Sequence, residues 1–301
     1  MSELCAGRAV VVTGAGRGIG RAHALAFAAE GARVVVNDAG VALDGSSSSD
    51  GPAVETAREI EEQGGKAVAN TDDVADFDGA ARLVDTAVSE FGGLDVLVNN
   101  AGFLRDRMLV NLSEQEWDAV VRVHLKGHFA MLRHAAQYWR AESKAGRARD
   151  ARIINTSSGA GLMGSVGQGN YSAAKAGIAG LTQVAAAELA RYGVAVNAIA
   201  PAARTRMTED AFAADMASPE SGFDAMAPEN VAPLVVWLGS AESSEVTGRV
   251  FEVAGGEVSV ALSWRHGPSV TGKGRWRPAE LGPVVRDLLD RAGDPEPVYG
   301  A

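Results

Sequence analysis

The sequence contains a single cysteine, Cys5, so no disulfide can form within the chain. Cysteine and histidine residues also never cluster at the spacing of metal ligands. The scarcity of cysteine favours a reducing compartment, and the missing clusters predict that no metal is bound. We interpret Cys5 as a structural free thiol.

Long apolar runs and an excess of positive charge are lacking too. No window approaches the roughly 18 to 20 apolar residues of a membrane span, and the first residues, MSELCAGRAVVVTG, lack the basic and apolar regions of a signal peptide. The 28 Lys+Arg and 38 Asp+Glu residues give a net charge of −10, which argues against nucleic acid or an anionic membrane as a partner. We therefore expect an unprocessed cytoplasmic protein.

What the sequence does contain is a regular alternation of apolar runs and helical patterns. Neither an internal repeat nor a shift in composition marks a second domain, so we predict one α/β domain over residues 1–260. Residues 261–301 differ, because cations and tryptophans are interleaved there before a short amphipathic pattern. We expect this extension to pack on the body or on a neighbouring subunit.

A glycine-rich loop, Thr13 to Gly20, follows the first apolar run and precedes a helical pattern that stops at Gly31. Glycines allow a tight turn and close backbone approach to a pyrophosphate, and the helix start offers free N–H groups. The order of strand, loop and helix predicts a dinucleotide site. The loop residues expected at the cofactor are Gly14, Arg17, Gly18, Ile19 and Gly20.

Acidic residues end the next two predicted strands. Asp38 is placed to accept hydrogen bonds from both ribose hydroxyls of an adenosine and to repel a 2′-phosphate, so it favours NAD over NADP, weakly opposed by Arg17. Asp73 is a candidate for the adenine amino group, with Val74 packing on the ring. A helix N-cap is the competing interpretation of Asp73.

The segment from Ser157 to Lys175 places a hydroxyl, a phenol and an ammonium in one region. Tyr171 and Lys175 are four residues apart in an alanine-rich helical pattern and therefore share a helical face. An ammonium beside a phenol favours the phenolate, and lowering a tyrosine pKa from about 10 toward 7 takes roughly 4 kcal/mol. Ser158 ends an apolar run that precedes this helix, so a loop can return it to Tyr171.

These segments together resemble the short-chain dehydrogenase/reductase family over residues 6 to about 257. The resemblance is carried by the loop TGAGRGIG, the turn NNAG at Asn99 to Gly102, Ser158, YSAAK and the strand end NAIAP. It implies a single Rossmann-type, doubly wound sheet of seven parallel strands. It also implies homodimers or homotetramers built on the two long helices.

The resemblance assigns roles to the site residues. Tyr171 takes the hydroxyl proton, Ser158 holds the developing carbonyl oxygen, and Lys175 binds the nicotinamide ribose and lowers the pKa of Tyr171. Further cofactor contacts are implied for Asn100, Ala101, Gly102, Pro201 and Thr205.

A closer resemblance is to the D-specific 3-hydroxyacyl-CoA dehydrogenase unit of peroxisomal multifunctional enzyme type 2, in segments such as NNAGFLRDRM and RVHLKGHF. His124 stands where the broader family has an asparagine that bends its helix so that a backbone carbonyl holds a relay water. Gly127 would permit the same bend. A role of the imidazole itself in the relay is the alternative.

The implied reaction is NAD-dependent interconversion of a 3-hydroxyacyl-CoA and a 3-oxoacyl-CoA, and the acyl group includes steroid-derived ones. Oxidation of a free hydroxysteroid or another secondary alcohol is one alternative, and non-catalytic NAD binding is a remote one. An acyl-CoA carries several phosphates and requires a local positive patch on an acidic protein. The candidates are Arg105, Arg107, Arg204, Arg206, Lys273, Arg275 and Arg277.

Overall fold

A computed structural model describes residues 3–40, 51–205, 218–219, 221–262 and 264–300. Its core is one eight-stranded sheet in the order β3-β2-β1-β4-β5-β6-β7-β8. The strands are β1 Ala9–Thr13, β2 Arg33–Asn37, β3 Lys66–Asn70, β4 Val96–Asn99, β5 Ala151–Thr156, β6 Val194–Ala202, β7 Val250–Ala254 and β8 Glu257–Ala261.

Helices connect the strands and cover both faces of the sheet. They are α1 Gly18–Ala29, α2 Pro52–Glu62, α3 Phe77–Phe91, α4 Glu114–Val121, α5 Gly127–Lys144, α6 Gly159–Met163, α7 Gly169–Leu189, α8 Ala232–Gly239 and α9 Pro278–Ala292. A π-helical segment, Arg122–Lys126, joins α4 to α5. Within the described ranges, no helix is long and apolar enough to cross a membrane.

The strands of the sheet centre are buried on both faces, as their unbroken apolar runs predict. Successive side chains of β1 alternate between two cores: Val10 and Val12 pack with Phe27 of α1, whereas Val11 packs with Leu83 of α3 and Trp139 of α5. This double burial holds β1 rigidly at the centre, and the glycine loop begins where β1 ends.

The chain winds outward from β1 in two directions. β2 and β3 extend the sheet on one side, and β4 to β7 extend it on the other, all of them parallel. A crevice therefore opens at the carboxyl ends of β1 and β4, where ligands of doubly wound sheets bind. The predicted doubly wound fold is confirmed.

The eighth strand is the difference from the predicted count of seven. β8 pairs antiparallel with β7 after a turn at Gly255, whose φ of 55° permits the tight reversal. The residues of β8 are almost all exposed, and the strand lacks the apolar run that marks most of the others. Its signal is the alternation of Val258 and Val260 with polar neighbours.

His23 of α1 is fully buried, and neither ring nitrogen has a hydrogen-bond partner among the described residues. Burial lowers the pKa of His23 to about 3. The unfolded chain takes up a proton near the ordinary histidine pKa of about 6.5, and the folded chain does not. Acid therefore favours unfolding, and the stability that His23 contributes is present above pH 6.5 and lost toward pH 3.

Replacing His23 by leucine should flatten the pH dependence of stability. Between about pH 7 and pH 5 we expect the free energy of unfolding to fall by about 2 kcal/mol more in the wild type than in His23→Leu. The reason is that the unfolded wild type binds a proton at His23 that the folded protein does not bind. Urea unfolding at both pH values measures this difference. His266→Gln, at an exposed histidine, is the control and should match the wild type. Equal losses in wild type and His23→Leu would contradict the prediction.

Candidate active site

The glycine loop lies between the end of β1 and the start of α1. Gly14 and Gly18 have φ values of 62° and 54°. A side chain at Gly20 would lie 2.1 Å from the carbonyl oxygen of Gly14, so only glycine lets α1 start this close to the strand end. This backbone leaves the helix start free of side chains on the side where a pyrophosphate would bind.

Thr13, at the end of β1, and Asn100, immediately after β4, hold the loop in place. The Thr13 hydroxyl accepts hydrogen bonds from the backbone N–H groups of Asn100 and Ala101, at 2.9 and 3.1 Å. The Asn100 side chain donates to the carbonyl oxygens of Thr13 and Gly14, at 3.0 and 3.2 Å. Asn100 thus shapes the loop with its side chain. Thr13 was not singled out in the sequence, although it is the first residue of the loop.

Asp38 lies against the glycine loop, as predicted from its place after β2. Its carboxylate accepts hydrogen bonds from the N–H groups of Gly16, at 3.1 Å, and Gly40, at 2.9 Å. A side chain at Gly16 would approach the carboxylate to 2.8 Å, which explains this glycine. Arg17 is exposed at the start of α1. The carboxylate therefore borders the loop in the position expected of a ribose acceptor.

Asp73 does not cap α3. The N-cap is Asp76, which accepts from the Gly79 N–H at 2.9 Å, so the capping interpretation of Asp73 is wrong. Asp73 instead accepts from the Ala75 N–H and forms an ion pair with Arg122 at 2.5 Å. Val74 is only 6% exposed, so most of its side chain is withheld from any ligand.

Ser158, Tyr171 and Lys175 meet where β5 ends and α7 begins. Ser158 is the N-cap of α6 and accepts from the Ala160 N–H at 3.2 Å. Lys175 is buried, its ammonium donates to the Thr156 carbonyl oxygen at 2.6 Å, and its Nζ lies 5.5 Å from the centre of the Tyr171 ring. The predicted juxtaposition is thus present in the structure.

Burial dominates the proton affinities of this pair. It raises the pKa of Tyr171 above its usual value of 10, an effect that a hydrogen bond with Ser158 opposes and the charge of Asp106 reinforces. Burial also lowers the pKa of Lys175 to about 7. The expectation that Lys175 brings the pKa of Tyr171 toward 7 is wrong for the protein alone, because each group loses hydration when it is buried.

His124 lies in the π-helical segment that ends immediately before Gly127. Its Nε2 lies 2.7 Å from the carbonyl oxygen and 3.0 Å from the N–H of Phe103, so the imidazole tautomer decides which of the two it bonds, and Nδ1 has no partner among the described residues. Burial, reinforced by the charge of Lys175, lowers the pKa of His124 well below its usual value. The ring contacts Tyr171 edge-on, at 5.2 Å between centroids.

This geometry explains Gly102 and the helix distortion together. A side chain at Gly102 would lie 2.1 Å from Cε1 of His124, so the glycine admits the imidazole. The π segment interrupts the regular α-helical hydrogen bonding immediately before Gly127, where the resemblance implied a bend. The neutral imidazole fixes the turn that follows β4.

Asn170 and Gln168 are site residues that the sequence analysis missed. Buried Asn170 donates to the Arg105 carbonyl oxygen at 3.0 Å and accepts from the Tyr171 N–H at 2.8 Å. Gln168 donates to Asp106 at 2.9 Å. The polar run GQGN just before YSAAK was the available signal. These bonds tie the segment after the NNAG turn to the start of α7.

The cations proposed for phosphate binding differ in their partners. Arg204 forms two hydrogen bonds of 2.8 Å with Asp224, and Arg107 lies 3.4 Å from Glu116, so both charges are already compensated. Arg277 pairs with Glu280. Arg206 lies outside the described residues. Within the described part of the chain, three of these cations have no ion-pair partner: Arg105, Lys273 and Arg275.

The remaining predicted cofactor residues lie at the same edge of the sheet. Pro201 is the second-last residue of β6 and is half-buried. The Thr205 side chain lies 3.5 Å from where a side chain of Gly18 would begin, which places it over the glycine loop. Across the described ranges, no group of three or more His, Cys, Asp or Glu residues is arranged to hold a metal ion.

Comparison with known proteins identifies similar chains. The family described as short chain dehydrogenase matches residues 8–215. Hydroxyacyl-CoA dehydrogenase ChsB1 of Mycobacterium tuberculosis is 46% identical over 299 residues, which cover 98% of this chain and 92% of that protein. Mouse peroxisomal multifunctional enzyme type 2 is 44% identical over 280 residues, 93% of this chain but 34% of that protein.

A solved structure agrees with these matches. The crystal structure of a short chain dehydrogenase from Mycobacterium avium shares 66% identity with this chain and superposes with a TM-score of 0.90. The match covers 99% of this chain and 100% of the other. The relatedness thus extends through the carboxyl-terminal extension.

The contact between Gly102 and His124 can be tested by substitution. Gly102→Ala should destabilise the protein by about 1 to 3 kcal/mol, because the new methyl group overlaps a buried ring. Adding His124→Ala should recover part of that loss. Gly267→Ala, where nothing lies within 4 Å, is the control. Strictly additive losses in the double variant, measured by denaturant unfolding, would show that the two residues do not interact.

Proposed function

This chain belongs to the short-chain dehydrogenase family, and from that membership we propose that it is an NAD-dependent 3-hydroxyacyl-CoA dehydrogenase. As a short-chain dehydrogenase it is an oxidoreductase acting at a carbon that bears a hydroxyl group. The observation that carries the proposal is the placement of Ser158 and Tyr171 over buried Lys175, beside a glycine loop bordered by Asp38.

The residues of the crevice fit a nicotinamide dinucleotide. The loop glycines leave the α1 start open to a pyrophosphate, and Asp38 offers a carboxylate to a ribose. When bound, the cofactor supplies the hydride acceptor. The other loop and strand-end residues proposed to contact it are Arg17, Ile19, Asp73, Val74, Asn100, Ala101, Gly102, Pro201 and Thr205.

The protein's own groups handle the proton. The Tyr171 phenol oxygen takes the proton of the substrate hydroxyl as the C–H bond is broken, and the Ser158 hydroxyl donates a hydrogen bond to the same substrate oxygen as it becomes a carbonyl. Burial raises the pKa of Tyr171 in the protein alone, so we propose that the Lys175 ammonium, 5.5 Å from the ring centre, stabilises the phenolate once cofactor and substrate are bound. His124, neutral and bonded to Phe103, is assigned a supporting role through the π-helical segment that carries it.

Two lines support the choice of substrate. Hydroxyacyl-CoA dehydrogenase ChsB1, which matches this chain over 92% of its own length, is named for this reaction. Peroxisomal multifunctional enzyme type 2 matches 93% of this chain. Arg105 is exposed and stacks over Phe103 at 5.0 Å, close to the site, where it can attract phosphate. Lys273 and Arg275 add positive charge in the extension.

We propose that the protein works as a cytoplasmic homodimer or homotetramer. The lone, buried cysteine supports a reducing compartment. A groove of about 820 Å³ runs between α5 and α7 and includes Phe129 and Val184, which are 46% and 54% exposed. Apolar surface of this kind on two long helices fits burial against a second copy.

The substrate proposal predicts a preference for thioesters. The wild type should reduce NAD with 3-hydroxyacyl-CoA at a kcat/KM at least about tenfold above that for free hydroxysteroids. Tyr171→Phe, the control, should lose turnover by about a hundredfold or more while NAD binding stays within a few-fold, since the phenol accepts the proton. A faster reaction with free alcohols would reject the thioester assignment. Undiminished turnover in Tyr171→Phe would show that Tyr171 is not the proton acceptor.

Asp38 determines the predicted cofactor preference. Wild type should favour NAD over NADP, and Asp38→Ala should narrow the ratio of kcat/KM values by about tenfold or more, because repulsion of the 2′-phosphate is removed. Asp78→Ala, at an exposed carboxylate of α3, is the matched control and should leave the ratio unchanged. Equal use of both cofactors by the wild type would show that Asp38 does not select NAD.

A further inference from the structure

The loop between α6 and α7 is held by two outside segments. On one side the Arg107 N–H donates to the Gly167 carbonyl oxygen at 2.8 Å, and Arg107 pairs with Gln168. On the other side Tyr299, in the carboxyl-terminal extension, pairs with Ser165 in the parallel sense. The Val166 N–H donates to the Tyr299 carbonyl oxygen at 2.9 Å, and the Tyr299 N–H donates to Gly164 at 3.2 Å.

The Tyr299 phenol lies directly over Gly159. A side chain at Gly159 would be 3.0 Å from the phenol oxygen and 3.1 Å from the ring. The absence of a side chain at Gly159 therefore allows the ring to lie this close. Gly159 follows Ser158 in the chain. Tyr299 therefore stands one residue away from the hydroxyl assigned to the substrate oxygen. Val298 fits against Gly164 in the same way, at 3.4 Å.

All three segments expose large apolar side chains beside the site, each between 43% and 91% exposed. We call this set the apolar rim: Met108, Leu109, Val110, Val166, Val298 and Tyr299. Concentrations of exposed apolar side chains around a crevice mark binding surfaces. The segment that contributes Met108, Leu109 and Val110 also carries Arg105, so positive charge lies next to apolar surface at the entrance to the site.

We propose that the apolar rim binds the acyl chain of the substrate and that Tyr299 is a specificity-determining residue for chain length. The inference rests on the proposed function. The rim is apolar, lies against the loop between α6 and α7, and borders Arg105, which matches a ligand with an apolar chain and a phosphate-bearing group. Tyr299 borders Gly159 with its ring and pairs through its backbone with Val166 of the rim, so we place its ring where a long chain leaving the site meets the rest of the rim.

The test compares substrates of different chain length in variants of one residue. Tyr299→Ala should raise KM at least about tenfold for a 3-hydroxyacyl-CoA of sixteen carbons and change KM for the four-carbon substrate less than about twofold, with kcat for the short substrate preserved. Tyr299→Phe keeps the ring and should keep the wild-type profile. Leu289→Ala, an exposed apolar residue of α9 in the same extension, is the matched control.

Three results would overturn the inference. The first is an unchanged ratio of the two KM values in Tyr299→Ala. The second is an equal loss with both substrates, which would mean that Tyr299 only supports the fold of the loop. The third is dissociation of the oligomer by Tyr299→Ala in light scattering, which would assign the rim to a second copy. A wild type that oxidises no 3-hydroxyacyl-CoA would instead reject the proposed function on which the inference rests.

Discussion

Burial of the Lys175 ammonium is the constraint on which the site depends. Removing such a charge from water costs several kcal/mol unless fixed partners replace the water, and here the Thr156 carbonyl oxygen does so at 2.6 Å. The Ser157 hydroxyl donates to the Lys175 carbonyl oxygen at 2.9 Å, and Gly161 admits the lysine backbone. The end of β5 and the second turn of α7 are thereby joined, and this junction fixes Tyr171 relative to Ser158.

Small residues serve the same purpose elsewhere in the crevice. Gly20 lets α1 meet the end of β1, and Gly102 lets the His124 ring reach the turn after β4. Each missing side chain is matched by a polar contact that orients the backbone, from Asn100 in the first case and from His124 in the second. The crevice is therefore shaped by the backbone before any ligand enters it, which limits the ordering cost of binding.

The parts of this structure that follow from local pattern were predictable. Seven strands and the glycine loop were predictable because apolar runs and loop glycines can be identified within a few residues of sequence. The pKa of Tyr171 was misjudged, since a sequence shows a nearby lysine but not the burial of both groups. The pairing of Arg204 with Asp224 and the contact of Tyr299 with the loop after Ser158 join segments far apart in the chain, and no local pattern encodes them.

The pairing of Tyr299 with Ser165 also bears on how the protein is made. Residue 299 is synthesised after strands β1 to β8, so the body can form its core while the loop after Ser158 still lacks one of its two supports. Contacts between such distant positions form late because the intervening chain must first be ordered. A nascent chain stalled before residue 299 would contain Ser158, Tyr171 and Lys175 but would lack the contact of Tyr299 with the loop between α6 and α7.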